Sequence, residues 1–231
     1  MGDEFGKAIW EIYTKGKTNI KLISRRDDGK SEVRDFKKYL QPYNKIETIQ
    51  KNALKHAKGK VLDIGFGGGK HSIYLQQQGL KVTGIDNSPY LVKLGKKRGL
   101  KDVRRMDLFK MNFGKEKFDT LLLFGNGLCF GHNPQEMKKF LNKLYRLTTK
   151  NGIILGDSTD PRKTTRGLVA YKGRKQFKVR HEINGKFGPW FTPFFVSESQ
   201  LRKIVKETRW KINKIYRNKL GDRFSVILEK R

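Results

Sequence analysis

The stretch "VLDIGFGGGKHSIYL", residues 61–75, decides the fold because a glycine turn joins an apolar, strand-like run to a helix-like segment. Gly65, Gly67 and Gly69 let the turn adopt backbone conformations that other residues avoid, and they let a ligand approach the backbone closely. The helix that follows presents unbonded N–H groups at its N-terminus. Dinucleotides, phosphates and adenosyl groups all bind at turns of this kind, so the stretch alone predicts a nucleotide-type site without selecting its ligand.

Outward from this turn, residues 61–159 alternate strand and helix patterns. The segments "KVTGID" (81–86), "KFDTLLLFG" (117–125) and "GIILGDS" (152–158) have the composition of buried strands, and helical segments lie between them. Strands separated by helices of this length predict an α/β fold with a parallel, doubly wound sheet. Near the end of the chain, "WKINKIYRN" and "DRFSVILEK" predict an antiparallel pair of strands.

Two segments add to this alternation. Residues 1–56 form an N-terminal extension in which "NIKLISRRDDGKSEVRDF" predicts a hairpin followed by a helix, and we expect it to act as a lid or a substrate contact. Residues 57–231 form the main domain, which carries an insertion at 160–196. Within the insertion, "QFKVRHEINGKFGPWF" predicts a β-hairpin about its Asn-Gly turn. Strand alternation places four side chains on one face of it: Phe177, Val179, His181 and Ile183.

The charge of the chain is its most unusual bulk property. It has 52 Lys and Arg against 22 Asp and Glu, a net charge of +30 over 231 residues. A polyanionic partner such as nucleic acid explains this excess, because self-repulsion of that size is otherwise unfavourable. A lysine-rich hyperthermophile surface is the alternative, although that composition is also rich in Glu, which is scarce here.

Other classes of protein are disfavoured by what the sequence lacks. Cys129 is the single cysteine and the four histidines are scattered, so no metal site is expected. The beginning of the chain has acidic residues where a signal peptide has basic ones, and "TLLLFGNGLCF" is too short to cross a bilayer. We therefore expect a cytoplasmic protein without membrane or metal partners, a monomer being favoured.

Three carboxylates mark the ends of successive predicted strands: Asp63, Asp86 and Asp107. Because the carboxyl ends of parallel strands share one edge of a sheet, these side chains should converge. Three acids disfavour a phosphate-rich ligand and attract a cation that carries a sulfonium and an amino group. The ligand that best matches this pattern is S-adenosylmethionine.

Four segments in order, "VLDIGFGGGKHSIYL", "VTGIDNSP", "RMDLF" and "FDTLLLFGNG", resemble the class I S-adenosylmethionine-dependent methyltransferases over about residues 57–231. The resemblance implies a Rossmann-like, doubly wound sheet of seven strands, mostly parallel, with a C-terminal antiparallel pair. It also implies S-adenosyl-L-methionine as the cofactor. The N-terminal "RRDDG" and "YLQPYN" are similar to an archaeal and bacterial subfamily of these enzymes.

The same resemblance assigns roles to the residues of the glycine turn and the strand ends. Asp63, Gly65 and Gly67 would hold the methionine moiety, Asp86 would bind the ribose, and Asp107 with Leu108 would bind the adenine. The full predicted cofactor set is Asp63, Gly65, Phe66, Gly67, Gly69, Asp86, Asn87, Asp107, Leu108 and Asn126. Phe66 departs from the small residue or cysteine common in this turn. For Asp86 a helix N-cap, and for Asp107 a solvated loop acid, are the alternative interpretations.

The methyl acceptor should meet the cofactor beyond the fourth strand, at "FGNGLCFGHNP" (124–134). Amino-directed nucleic-acid methyltransferases often have Asn/Asp/Ser-Pro-Pro-aromatic there. This chain has Asn126 and Phe130 but lacks the prolines. We predict that Asn126 orients a base amine and that His132 accepts its proton, the alternatives being a turn cap and a surface loop residue. Cys129 is expected to be a packed thiol rather than a nucleophile.

The favoured substrate is structured RNA, ribosomal rather than transfer RNA, methylated on an exocyclic base amine such as the 4-amino group of cytidine. Cations would follow the phosphates while rings of the insertion receive bases, or those rings form the core of the insertion. The rings concerned are Tyr171, Phe177, Phe187, Trp190, Phe191, Phe194 and Phe195. A methyltransferase for a small molecule or a protein side chain, and a non-catalytic RNA-binding protein of the same fold, are the alternatives.

Overall fold

The structure, a computed structural model, describes residues 3–16, 19–164 and 176–231. In chain order its helices and strands are α1 (Glu4–Lys15), β1 (Leu22–Arg26), β2 (Ser31–Arg34), α2 (Lys37–Leu40), α3 (Thr48–Leu54), β3 (Lys60–Ile64), α4 (Lys70–Gln77), β4 (Lys81–Asp86), α5 (Pro89–Lys97), β5 (Asp102–Arg105), β6 (Phe118–Leu123), α6 (Pro134–Leu147), β7 (Thr148–Thr159), β8 (Val179–Ile183), β9 (Lys186–Phe187), α7 (Glu198–Lys206), β10 (Trp210–Arg217) and β11 (Arg223–Lys230). None of these helices is long and apolar enough to span a membrane.

The central sheet has seven strands in the order β10-β11-β7-β6-β3-β4-β5. Strands β3 to β7 pair in parallel, whereas β11 runs antiparallel to both β7 and β10. Strand β6 shows why its sequence reads as an apolar run, since Leu121, Leu122 and Leu123 are fully buried and helices cover both faces of such a sheet. The predicted doubly wound, seven-stranded sheet with its antiparallel C-terminal pair is confirmed.

Helices α5 and α6 begin at side-chain caps that can be read from the sequence. Ser88 accepts a hydrogen bond from Leu91 N at 3.0 Å at the start of α5, and Asn133 accepts one from Glu136 N at 2.9 Å at the start of α6. In both helices a proline follows the cap, where its missing N–H costs nothing. These fixed starts position the loops that leave β4 and β6.

A second, smaller sheet joins the N-terminal extension to the insertion in the order β2-β1-β8-β9. Both hairpins are predicted from their turns, and Asn184 and Gly185 adopt the positive φ angles of 50° and 77° that the Asn-Gly turn requires. The antiparallel pairing of β1 with β8, which places Ser24 opposite His181, is not predicted. This pairing joins the N-terminal extension and the insertion in one four-stranded sheet.

Helix α1 is an element that the sequence interpretation missed. The Asp3 carboxylate caps it by accepting from Gly6 N at 2.9 Å, and Gly16 ends it with a φ of 62°. Its buried residue Ile9 joins a cluster with Leu91 and Leu94 of α5. The extension is thereby packed directly on the central domain, next to the strand ends where ligands bind in such sheets.

Candidate active site

The glycine turn after β3 is fastened to the end of β4. Gly65, Gly67 and Gly69 have φ angles of 70°, 57° and 79°, which favour glycine. Gly65 N donates to the Ile85 carbonyl at 2.8 Å, and Gly67 N donates to Asp86 Oδ2 at 3.2 Å. The turn therefore has one defined shape, with the Asp86 carboxylate against its backbone.

Asp63, on β3, is a buried acid with a hydroxyl as its hydrogen-bond partner. Its side chain is 3% exposed, and Oδ2 accepts from Ser72 Oγ at 2.6 Å. Burial raises the pKa of Asp63 to about 7, the Ser72 hydrogen bond opposes this rise, and the nearby charge of Asp86 adds to it. A positive group placed at the turn would strongly favour the ionised form.

Asp86 has acceptor capacity beyond the backbone that it binds. Its Oδ1 accepts from Ser88 N at 3.0 Å and its Oδ2 accepts from Gly67 N, whereas a carboxylate offers about four acceptor positions. Burial raises the pKa of Asp86. The cap of α5 is Ser88 itself, so Asp86 supports the start of the helix without being its N-cap. The neighbouring Asn87 is exposed and its carbonyl accepts from Arg105 Nε at 3.2 Å.

Asp107 lies at the same edge of the sheet, just beyond β5. Met106 N donates to the Asp86 carbonyl at 2.9 Å, which brings these two strand ends together. The exposed Asp107 carboxylate accepts from Phe109 N at 2.7 Å and so stabilises its own loop. Leu108 is half-buried and packs on the core. The carboxylate's remaining acceptor positions are the ones that an adenine amino group would use.

Phe66 belongs to the predicted cofactor set, and its side chain packs into the core. Its side chain is 5% exposed and packs with Leu100 and Val103. Glycines on β4 and α5 make room for the ring, since a Cβ on Gly84 or Gly95 would lie 3.0 or 2.9 Å from ring atoms. The ring thus fills the layer behind the turn, and only the backbone of Phe66 is available to a ligand. Gly69, which begins α4, faces the same apolar cluster.

The extension covers the glycine turn from outside. The Tyr39 carbonyl lies so close to Gly68 that no side chain fits there, and the Tyr39 ring lies near Gly67. The Arg98 guanidinium links the glycine turn to the extension, because it donates to the carbonyls of Gly68 and Leu40. Residues 39 and 40 therefore form part of the wall of this site.

A cavity of about 370 Å³ lies between the loop that leaves β6 and the smaller sheet, and we call it the acceptor cavity. Seven rings line it: Phe5, Tyr39, Phe130, Phe177, Phe191, Phe194 and Phe195. Its polar lining consists of Asn126, Cys129, His132, His181, Arg34 and Thr192. Phe130 also contacts the glycine turn, because its Cζ lies 3.1 Å from where a Cβ on Gly65 would be. Phe130 therefore lies against both the cavity and the turn.

Asn126 is held by a buried network that the sequence interpretation missed. Its backbone, at φ 64°, donates to Asp157 Oδ1 at 2.6 Å, and its Oδ1 accepts from Thr159 Oγ1 at 3.0 Å. The other oxygen of Asp157 accepts from Gln50 Nε2, and Gln50 Oε1 lies 3.3 Å from His71 Nε2. Burial raises the pKa of Asp157 and lowers that of His71 to about 3. An acid inside the apolar run "GIILGDS" was the signal available in the sequence.

The other two groups on this loop differ in how firmly they are held. His132 is exposed at a φ of 56°, its ring lies 5.6 Å from that of Phe109, and no described residue hydrogen-bonds its imidazole. Cys129 Sγ lies 3.4 Å from Ser158 Oγ, and burial raises the pKa of the thiol to about 11. Cys129 is thus a neutral thiol, which agrees with the expectation of a packed thiol rather than a nucleophile.

The rings of the insertion divide between core and surface. Phe177 is buried beneath the Arg26 guanidinium, which lies 4.0 Å from the ring centre. Phe187 and Trp190 are exposed, and the Arg180 guanidinium lies 4.1 and 4.7 Å from their ring centres. Tyr171 falls outside the described residues. The insertion therefore presents a cationic, aromatic patch beside the acceptor cavity.

Known proteins are similar to this chain in sequence and in fold. Residues 61–152 match the sequence profile of a methyltransferase domain family. A curated protein of Geobacillus sp. (strain WCH70) with a methyltransferase name is 23% identical over 124 residues, 50% of this chain and 50% of its own length. The glycine/sarcosine N-methyltransferase of Parasynechococcus marenigrum (strain WH8102) is 26% identical over 113 residues, 45% of this chain and 39% of that protein. The chain thus spans half or less of the curated relatives that it matches.

A solved structure extends the similarity over nearly the whole chain. The S-adenosylmethionine-dependent methyltransferase from Bacteroides fragilis, in complex with S-adenosyl-L-homocysteine, is 27% identical and superposes with a TM-score of 0.84. The match covers 99% of this chain and 94% of that one, so it includes the extension and the insertion as well as the central sheet.

Proposed function

We propose that this chain methylates a small, planar amine in the acceptor cavity. By its fold and by the methyltransferase domain at residues 61–152, it belongs to the class I S-adenosylmethionine-dependent methyltransferases. The main observation in support is the ring-lined cavity of about 370 Å³, which adjoins the glycine turn through Phe130. Its volume falls in the range of small-molecule sites, and stacked rings favour planar groups. Described residues of the extension between 5 and 39 and of the insertion between 177 and 195 line it.

The cofactor is S-adenosylmethionine, and the residues at the strand ends fit it. Asp63 tests this fit, because its carboxyl is buried and its hydrogen-bond partner among the described residues is a neutral hydroxyl. The ammonium group of the cofactor would compensate the buried negative charge of its carboxylate. Asp86 has free acceptor positions for ribose hydroxyls. Asp107 has free acceptor positions for the adenine amino group, and the apolar Leu108 would contact the adenine ring. When bound, this cofactor supplies a methyl group activated on a sulfonium.

Affinity for the demethylated cofactor should depend on pH through Asp63. Its pKa of about 7 means that the free protein is half protonated there at neutral pH, whereas an ammonium partner requires the carboxylate. Because the bound state then holds fewer protons, affinity for S-adenosylhomocysteine should rise about tenfold from roughly pH 6 to 8. Calorimetry in buffers of different ionisation enthalpy measures both the rise and the released proton. Asp63→Asn should bind weakly and without this dependence, and a wild-type affinity that stays constant would contradict the assignment.

The polar groups of the acceptor cavity suggest how an amine is oriented. Asn126 Oδ1 already accepts from Thr159, so its amide nitrogen is the end with donors to offer, and these suit a carbonyl or carboxylate of the substrate. The Arg34 guanidinium in the lining supports an acidic group on the same molecule. The similarity to a glycine/sarcosine N-methyltransferase supports a small amine as the methyl acceptor.

A second candidate acceptor is a base amine of structured RNA, with cytidine in ribosomal RNA as its leading form. The net charge of +30 and the Arg180 patch on Phe187 and Trp190 favour it. In this version phosphates would bind the basic surface while one everted base enters the acceptor cavity.

One labelling experiment separates these acceptors. The protein is incubated with S-adenosylmethionine labelled in its methyl group, together with either a low-molecular-mass filtrate or total RNA from the source cells. We expect label in the filtrate, at a rate that changes little with salt. Label confined to RNA, with binding that falls steeply as salt rises, would replace the small-molecule acceptor by the RNA one. Label in neither fraction, with S-adenosylhomocysteine still bound, would indicate a binding protein of this fold.

A further inference from the structure

His181 occupies a position in the acceptor cavity that the sequence interpretation left without a role. It lies on β8 in register with Ser24 of β1, and its Nδ1 is 3.0 Å from Ser24 Oγ. Ser24 is fully buried, so the hydroxyl that holds the imidazole is itself fixed. The ring lies 5.3 Å from that of Phe191, which with Asn126 lines the same cavity.

The direction of the hydrogen bond between Ser24 and His181 sets the tautomer of the imidazole. Arg34 Nε donates to Ser24 Oγ at 3.4 Å, which leaves the hydroxyl able either to donate to Nδ1 or to accept from Nδ1–H. In the arrangement that a base needs, Nδ1–H donates to the hydroxyl, Nε2 carries the free lone pair, and no described residue hydrogen-bonds Nε2. This is how a third group orients a histidine base. His132, on the loop after β6, has no such partner among the described residues.

We infer that His181 is the catalytic base that accepts the proton of the substrate amine as the methyl group is transferred. The inference rests on the proposed function and deepens it. The nitrogen lone pair of the amine forms the new bond to the methyl carbon, the electron pair of the carbon–sulfur bond stays on sulfur, and the N–H proton passes to Nε2 of His181. The substrate class is thus an amine whose proton is lost in the reaction.

The surroundings of His181 keep it in the form that a base needs. Burial lowers the pKa of His181, and the positive charge of Arg34 lowers it further, so the imidazole is neutral near pH 7. The other titratable groups that line the cavities at this ring are Glu4 of α1, Lys186 of β9, Tyr39, Cys129 and His132.

A direct test reads the tautomer of His181 in the full-length wild type, with S-adenosylhomocysteine as the probe ligand. Long-range proton–nitrogen NMR correlations, assigned with His181→Gln, should show a neutral ring at pH 7 with the proton on Nδ1. Ser24→Ala should mix the two tautomers. A wild-type ring protonated on Nε2, or charged at pH 7, overturns the inference whatever the acceptor proves to be.

Kinetics then test the proton transfer with the fraction that accepts label. His181→Gln should lower kcat about a hundredfold or more and remove the acidic limb of the pH–rate profile, while S-adenosylhomocysteine binds within about twofold of wild type. His56→Asn, a histidine that contacts Tyr216 instead, is the matched control and should keep full activity. If kcat of the His181→Gln enzyme stays within threefold of the wild-type value, the assignment of His181 as the base is wrong. A wild type that labels neither fraction instead overturns the proposed function, and the NMR result then decides separately whether the imidazole is suited to act as a base.

Discussion

Replacing Asp157 by alanine is expected to lower the free energy of unfolding by about 2–4 kcal/mol, because two buried donors lose their acceptor at once. The stranded groups are the backbone N–H of Asn126 and the side-chain amide of Gln50. Each unsatisfied buried donor costs about 1–3 kcal/mol, and water has no access to replace the carboxylate, which is 2% exposed. Urea denaturation monitored by fluorescence measures the change.

Matched variants distinguish the loss of the buried hydrogen bonds of Asp157 from the loss of a negative charge alone. Asp157→Asn retains an oxygen for Asn126 N but turns an amide against that of Gln50, so about half of the loss should remain. Glu136→Ala removes an acid of an exposed ion pair with Lys139 and should cost less than about 1 kcal/mol. If Asp157→Ala lost no more than Glu136→Ala, the network would not be what holds the loop after β6.

The same loss should reach the acceptor cavity. Asn126 adopts a left-handed conformation that is uncommon outside glycine, and Asp157 is the side chain that bonds its N–H. Without that bond the neighbouring Phe130 loses its fixed place between the cavity and the glycine turn. Folded Asp157→Ala should therefore transfer methyl groups poorly while still binding S-adenosylhomocysteine.

The central sheet could be predicted because each of its elements is encoded locally. Apolar runs such as 118–123 set the buried strands, and Ser88 and Asn133 set the helix starts. The convergence of Asp63, Asp86 and Asp107 follows from topology alone, since parallel strands present their carboxyl ends at one edge. Their roles toward the cofactor stay predictions.

What could not be predicted depends on contacts between distant residues. Alternation in β1 and β8 fixes which side chains share a face but not which strand is the partner, so the pairing of Ser24 with His181, 157 positions apart, is not encoded locally. The direction of the Phe66 ring depends on space left by Gly84 and Gly95 in other elements. Helix α1 is a different case, because its cap Asp3 and its stop Gly16 are local signals that the sequence interpretation did not use.

Asp86→Ala should weaken the binding of S-adenosylhomocysteine by about a hundredfold or more. A hydrogen bond to a charged group contributes about 1.5–3 kcal/mol, so two lost ribose bonds amount to at least about 3 kcal/mol. The variant also releases Gly67 N, which the carboxylate holds at 3.2 Å, so the turn loses part of its fixed shape. Isothermal titration calorimetry measures the affinity, and Asp86→Asn, which keeps one acceptor oxygen, should fall in between.

Asp107→Ala is the matched control, because its carboxylate is an exposed acid that stabilises its own loop through Phe109 N. We expect it to weaken binding by less than about tenfold, since an exposed hydrogen bond to adenine is largely replaced by water. The comparison also separates two roles of Asp86. If its carboxylate only supported the start of α5 through Ser88 N, Asp86→Ala would lower stability and leave affinity within a few-fold of wild type. A loss of affinity in a variant that melts close to the wild-type temperature is the result that places Asp86 on the cofactor.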